Sequence, residues 1–387
     1  MPSEPSSETS GKGDAPTAFG VTRTPSEEDG RRDPVLLAAL RQIAPGTELR
    51  QSLDDIIRSG EGALIVIGDP DQLSFLYSGG MRLDLPFTQQ LLYELAKMDG
   101  AIVVDESLSK LAYANVQLMP DPTIPSGETG TRHRTAERVA KQTGALVISV
   151  SQQRSTISVY RGTVRYQLDP VTDVLAKTNQ AMATLDTYSK RLEQVLTRLT
   201  ALEFQNAVVL DDVLVVLQRA QMTIRIAAFI ERDCVELGTE SRVIRMQLAE
   251  LVGGIPGQRD AVVRDYDAEA GDDAHVDAVV AGLDSLRYRE LRDLERLSEL
   301  LHYPRDVNPL DYAVVPRGFR VLSHVPRLPD QIVRRVVEGM GDLEAIVRAS
   351  QRDLESIAGV GEVRAREIRE GLRRLQEHNL VDRYLQL

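Results

Sequence analysis

Between Asp169 and about Leu301 this 387-residue chain carries one kind of signal, and it is helical. Leu185, Tyr188, Leu192, Val195, Leu199 and Leu202 alternate steps of three and four, the a/d seam of packed helices. The run Val208 to Leu217 is apolar nearly all round, so it needs cover on several sides. Gly253-Gly254-Ile255-Pro256-Gly257 breaks the pattern, and Leu286, Leu291, Leu294, Leu297 and Leu301 complete a bundle beyond it. The acidic run Asp265, Asp267, Glu269, Asp272 and Asp273 lacks the spacing of a calcium loop and reads as a solvated turn. A helical spine over residues 169–315 separates and orients whatever folds on either side of it.

On the N-terminal side, residues 1–32 are rich in Ser, Pro, Glu and Gly and cannot bury enough surface to offset their ordering entropy; they read as a disordered tail. Order is expected from Asp33-Pro34, a helix N-cap with proline in the first turn. Two amphipathic helices follow, with Leu36, Ala39, Leu40 and Ile43, then Leu49, Leu53, Ile56 and Ile57, facing inward. Short apolar runs at Ala63–Ile67, Ala101–Val104, Ala145–Val150 and Ile157–Tyr160 read as strands, with helices between several of them. The expectation for residues 33–168 is an α/β domain on a mixed central sheet.

The formal net charge of −12 argues against a protein that coats nucleic acid without specificity, while leaving room for a local DNA patch. The single cysteine, Cys234, cannot form an internal disulfide, which fits a reducing cytoplasm. No apolar run is expected to reach membrane-span length, and no signal-peptide core is seen. A soluble, cytoplasmic protein is the expectation.

The chemistry concentrates between Met98 and Arg138. Phe87, Leu91, Leu95 and Met98 recur at helical spacing before the strand Ala101–Val104, so Asp99 stands at a helix-to-strand junction. Farther on, a loop with Gly127 and Gly130 leads into a helix whose inner face is Ala136, Val139, Ala140 and Thr143. The free N–H groups at such a helix start attract anions, and Arg132 and Arg134 add fixed positive charge. Taken alone, Asp-Gly is turn chemistry and Arg-His-Arg is a solvated helix end. Together, a carboxylate able to hold a divalent metal and a polyphosphate cradle outline a nucleotidyl-transfer site.

Asp99-Gly100-Ala101 with Thr131-Arg132-His133-Arg134-Thr135 resembles the paired DGA and RHR motifs of the diadenylate cyclases. From about Asp33 to the end, the domain order resembles the DNA-scanning branch of that family. The resemblance implies condensation of two ATP molecules into cyclic di-AMP with Mg²⁺ or Mn²⁺. Asp99 would bind metal and activate the 3′-hydroxyl, Gly100 would allow close backbone approach, and Ala101 would belong to the nucleotide-binding set. Arg132 and Arg134 would hold the triphosphate, assisted by Thr131 and Thr135, with His133 beside the phosphates. Leu118, through its backbone, and Ser151 would line the adenine pocket. Because one site holds one ATP, two copies must face each other; the family form is an octamer.

After Pro304, Pro309 and Pro316, residues 316–387 read as a compact all-α module. Ile332, Val333, Val336 and Val337 mark one helix; Leu343, Ile346 and Val347 mark the next. Ile357-Ala358-Gly359-Val360-Gly361 before a long helix resembles a helix-hairpin-helix, whose Gly359 and Gly361 would bring backbone N–H groups to a DNA phosphate. Arg364 and Arg366 would add charge, and branched DNA and nucleoid association are what the resemblance implies. A helical protein-docking module is the competing reading. For the whole chain, the rival to a cyclase is a DNA-binding scaffold whose nucleotide domain senses ATP without turnover.

Overall fold

The structure, a computed structural model, describes residues 34–269 and 272–385. The expected tail at 1–32 and the Asp33 cap lie outside the described residues. The chain divides into two compact units, one comprising residues through Ala181 with Arg232–Arg242, the other Met182–Glu231 with Val243–Leu387.

The first unit runs α1 (Pro34–Gln42), α2 (Glu48–Arg58), β1 (Ala63–Ile67), β2 (Tyr77–Ser78), β3 (Met81–Pro86) and α3 (Gln89–Ala96). It continues with β4 (Ala101–Val104), β5 (Lys110–Leu118), α4 (Thr131–Thr143), β6 (Leu146–Ser151), β7 (Thr156–Arg161) and β8 (Val164–Gln167). One eight-stranded sheet has the order β2-β5-β4-β1-β6-β7-β8, with β3 also paired to β5. β1 and β4 run parallel and β6 antiparallel to β1, which makes the sheet mixed.

The sheet is covered on both faces. Ala63, Ile65 and Ile67 of β1 join α1, α2 and α3 in one core cluster, while Leu64 and Val66 join Ala136, Val139 and Ala140 of α4 in the other. A strand buried on both faces reads as a continuous apolar run, and Ala-Leu-Ile-Val-Ile is one. α3 is shorter than its periodicity suggests. Thr88 caps its start, Phe87 and Met98 lie outside it, and its buried face is Leu92 and Ala96.

The remaining chain is helical: α5 (Val171–Gln205), α6 (Leu210–Leu237), α7 (Arg242–Val252), α8 (Ile255–Tyr266), α9 (Asp273–Ser285), α10 (Tyr288–Leu291) and α11 (Leu294–Leu300). Then come α12 (Phe319–Ser323), α13 (Asp330–Met340), α14 (Leu343–Arg348), α15 (Gln351–Glu355) and α16 (Glu362–Leu385). Along the α5 seam, Leu185, Leu192 and Leu199 are buried. The Gly253-Gly254 pair separates α7 from α8. A second helical core gathers Val321, Leu322, Ile332, Val333, Val336, Val337, Leu343, Ile346 and Leu354, but Val347 stays exposed.

Two expectations need correction. The acidic run is not a fully solvated turn, because Asp265 and Asp267 are buried. Asp265 accepts from the backbone N–H groups of Gly318, Phe319 and Arg320 at 2.7, 2.6 and 2.9 Å, capping the start of α12. Asp267 pairs with His275 Nε2 at 2.6 Å and His302 Nδ1 at 2.8 Å. His275 is only eight residues from Asp267, but His302, Gly318, Phe319 and Arg320 lie 35 to 55 residues along the chain, where the local sequence gives no sign of them. The second correction concerns apolar length: the segment Leu210–Tyr266 does contain a window long and apolar enough to cross a membrane, of mean hydropathy 1.5. That window is 61% buried, and its segment supplies Val213, Leu214, Val216 and Leu217 to a protein core, so its apolarity is spent on packing.

Candidate active site

Strand register determines which residues share an edge. Leu64 of β1 pairs with Ala101 of β4, Ala63 with Val150 of β6, and Ala101 with Val116 of β5. The entries to β1 and β4 and the exits of β5 and β6 therefore lie along one end of the sheet. Asp99 and Gly100 precede β4, Gly62 precedes β1, Leu118 ends β5 and Ser151 ends β6. With β1 between them, β4 and β6 stand about 10 Å apart.

Gly100 has φ +91°, and a Cβ there would lie 2.8 Å from the Asn115 carbonyl carbon, so β5 can pass close only to glycine. Asp99 beside it is exposed, and no described residue pairs with its carboxylate. An uncommitted, exposed carboxylate fits a divalent cation, although one chain supplies a single such oxygen pair at this junction.

α4 starts at the same edge. Gly130, its N-cap, offers no side-chain cap, so the first N–H groups remain open, and no acidic residue occupies the first turn. Arg132 reaches back to donate from Nη1 to the Val150 carbonyl at 3.3 Å. Its path crosses Gly62, where a Cβ would stand 2.0 Å from Nη1. Among the described residues Arg134 makes only long contacts, to the Glu128 and Thr129 carbonyls at 3.4 and 3.5 Å. Thr131, Arg132 and Arg134 are exposed, while His133 and Thr135 are half-buried. Ala101 and Leu118 are buried and Ser151 half-buried. Arg154, an exposed charge in the turn after β6, donates its backbone N–H to Ser151 Oγ.

Sequence reasoning missed three residues behind this edge. Tyr160 of β7 is buried and donates its hydroxyl proton to Glu128 Oε1 at 2.7 Å. The same hydroxyl lies 2.9 Å from His133 Nδ1, and Arg165 Nε pairs with Glu128 Oε1 at 2.7 Å. Burial holds the His133 imidazole below its ordinary pKa; Glu128 opposes this, and Arg165, Arg154 and Arg132 reinforce it. Tyr160 was legible only as a strand residue, and the acidic Glu128 beside Gly127 and Gly130 was the available hint.

The C-terminal residues singled out by sequence fall at the start of α16. Gly359, Gly361, Arg364 and Arg366 are all exposed. Arg364 Nη1 donates to the Gly359 carbonyl at 2.7 Å, and Arg366 pairs with Glu362. This second cluster belongs to the other compact unit.

A sheet covered on both faces, with an exposed carboxylate and a cationic helix start along one edge, is built as a nucleotide-binding domain. Residues 50–164 match the family described as DisA bacterial checkpoint controller nucleotide-binding, and residues 168–310 match the DisA bacterial checkpoint controller linker region. The chain is 43% identical over 354 residues to the DNA integrity scanning protein DisA of Acetivibrio thermocellus, covering 92% of this chain and 98% of that one. It is 46% identical over 355 residues to the DisA of Streptomyces coelicolor, covering 91% and 95%. With the DisA of Bacillus pumilus, identity is 44% over 359 residues, covering 93% and 99%. The chain belongs to the DisA family and carries its diadenylate cyclase domain and linker.

Proposed function

We propose that this chain condenses two ATP molecules into cyclic di-AMP and two pyrophosphates, with one ATP held by each of two facing protomers. Each ribose 3′-hydroxyl attacks the other nucleotide's α-phosphorus. An O3′–Pα bond forms, the Pα–O bond to pyrophosphate breaks and the hydroxyl proton passes to water; two such events close the ring. Asp99 would hold Mg²⁺ or Mn²⁺, which supplies charge neutralisation and acidifies the attacking hydroxyl. The open amides of α4, with Arg132 and Arg134, bind the triphosphate and offset charge on departing pyrophosphate. Thr131 and Thr135 add hydroxyl donors, Gly100 keeps the backbone close beside Ala101 of the nucleotide-binding set, and Leu118 and Ser151 border the base.

The observation that carries this reading is the shared sheet edge. Arg132, anchored over Gly62, lies one intervening strand from the exposed Asp99. That half-site lies open, as a reaction between nucleotides on two protomers requires.

In the same proposal, residues 33–168 form the cyclase domain, 169–315 the spine and 316–387 a helix-hairpin-helix DNA-binding domain. Gly359, Gly361, Arg364 and Arg366 would contact backbone phosphate, recognising branched DNA by shape and charge. The assembly would be an octamer working in the cytoplasm at the nucleoid, with DNA occupancy regulating turnover.

Incubation with ATP and Mg²⁺ or Mn²⁺, alongside Asp99→Asn, tests the chemistry. Cyclic di-AMP from the wild type and its loss in the variant are expected. ATP binding by assembled wild type without product, with either metal, would instead favour an ATP-sensing DNA-binding scaffold.

A further inference from the structure

We infer that Glu128, Tyr160 and Arg165 form a positioning chain that fixes His133 as its Nδ1–H tautomer, leaving Nε2 as a hydrogen-bond acceptor for the nucleotide. The inference rests on the cyclase reading and assigns His133 the direction of its hydrogen bond there.

The direction follows from proton count. A phenol has one proton, and a carboxylate has none to give. Glu128 Oε1 accepts from Arg165 Nε at 2.7 Å and from the Tyr160 hydroxyl, which donates its one proton there across 2.7 Å. The Tyr160 oxygen can then only accept along its 2.9 Å contact with His133, and Nδ1 must carry the hydrogen. Tyr160 is 1% exposed and the Glu128 side chain 9%, so water has little access to replace a broken link. Burial and its cost to an unpaired group hold the order of donation in place.

Nε2 has no partner among the described residues, and the half-buried ring resists the second proton. Burial disfavours imidazolium, the guanidiniums of Arg165, Arg154 and Arg132 add to that, and Glu128 only partly opposes them. Donation from Nε2 to a phosphate oxygen would require the other tautomer. Tyr160 would then have to turn its proton toward Nδ1, leaving a buried carboxylate oxygen without it. His133 therefore accepts from a nucleotide hydroxyl or a bound water, and it is not the acid that protonates pyrophosphate. Glu128 and Tyr160 act through it and touch no substrate.

Tyr160→Phe, Glu128→Gln, His133→Ala and the Tyr160→Phe/His133→Ala double variant would be assayed for cyclic di-AMP, with thermal unfolding and assembly checked for each. Tyr160→Phe is expected to lower kcat roughly tenfold or more with little change in KM for ATP. Adding it to His133→Ala should cost nothing further, because both substitutions break one chain. Multiplying losses, or an unchanged kcat in Tyr160→Phe, would overturn the inference while the cyclase reading stands. Absence of product from the wild type defeats the cyclase reading instead. Hydrogen–deuterium exchange at the histidine C2 position then still tests the chain without turnover: Glu128→Gln should move the His133 pKa further down, and an unmoved value overturns the contact.

Discussion

Gly62 decides where Arg132 can lie. The side chain passes so close that a single added methyl would sit 2.0 Å from its Nη1, the end of a flexible side chain, and 3.2 Å from the Val150 backbone carbonyl oxygen. Gly62→Ala is therefore expected to lower the fold's melting temperature only slightly while weakening ATP binding by roughly tenfold to a hundredfold, because a guanidinium hydrogen bond to phosphate is worth about 1.5–3 kcal/mol. Calorimetric ATP titration beside a thermal melt separates the two effects; equal loss in both would place Gly62 in the core instead. His133 gives a second expectation at this scale. Burial lowers its folded pKa below the unfolded value of about 6.5. The neutral, accepting form therefore persists as pH falls through the ordinary imidazole range, and kcat should decline only below it. The unfolded chain takes up that proton first, so the same shift removes stability as pH drops below about 6.5. A kcat–pH profile with its acid limb at or above the ordinary imidazole value would contradict this.

At the scale of elements, burial governed what could be read. β1 and β4 were legible because both faces of each are covered, giving unbroken apolar runs. β5 was not: exposed Lys110, Asn115 and Gln117 interrupt its apolar positions, Asn115 has φ +54°, and its pairing with β4 shifts register twice. The two motifs of the site stood out because each joins an element boundary to charge. The Glu128–Tyr160–His133 chain did not, since it links positions 32 and 27 residues apart through tertiary packing alone. The same holds for Arg320, 2% exposed, which meets the buried Glu203 from across the sequence; its Nε donates to Glu203 Oε1 at 3.1 Å and its Nη2 to Thr200 at 2.8 Å. Tyr266 donates to the same carboxylate at 2.8 Å. Removing one partner leaves the other charge buried, so Arg320→Met should cost about 3–5 kcal/mol in urea unfolding, whereas Arg320→Met with Glu203→Met should recover much of that loss. A single variant as stable as wild type would show that the pair contributes only packing.

At the scale of the whole molecule, the ring closure sets a requirement that no single chain meets. In the proposed reaction each nucleotide is attacked once and attacks once, so both Asp99 carboxylates of a facing pair would have to be intact for two bonds to form. A pair with one Asp99→Asn protomer retains one activated hydroxyl and both phosphate cradles, and it can make one O3′–Pα bond. Its product is the linear dinucleotide with a 5′-triphosphate still in place. Mixtures of wild type and Asp99→Asn, dissociated and reassembled together, should thus lose cyclic di-AMP as the square of the wild-type fraction while linear product rises and then falls. Chromatography of the products against mixing ratio, with sedimentation to confirm that the two forms assemble alike, reads both curves. A cyclic yield that falls only in proportion to the wild-type fraction, without linear product, would mean that one protomer performs both transfers, and the open sheet edge would then need another explanation.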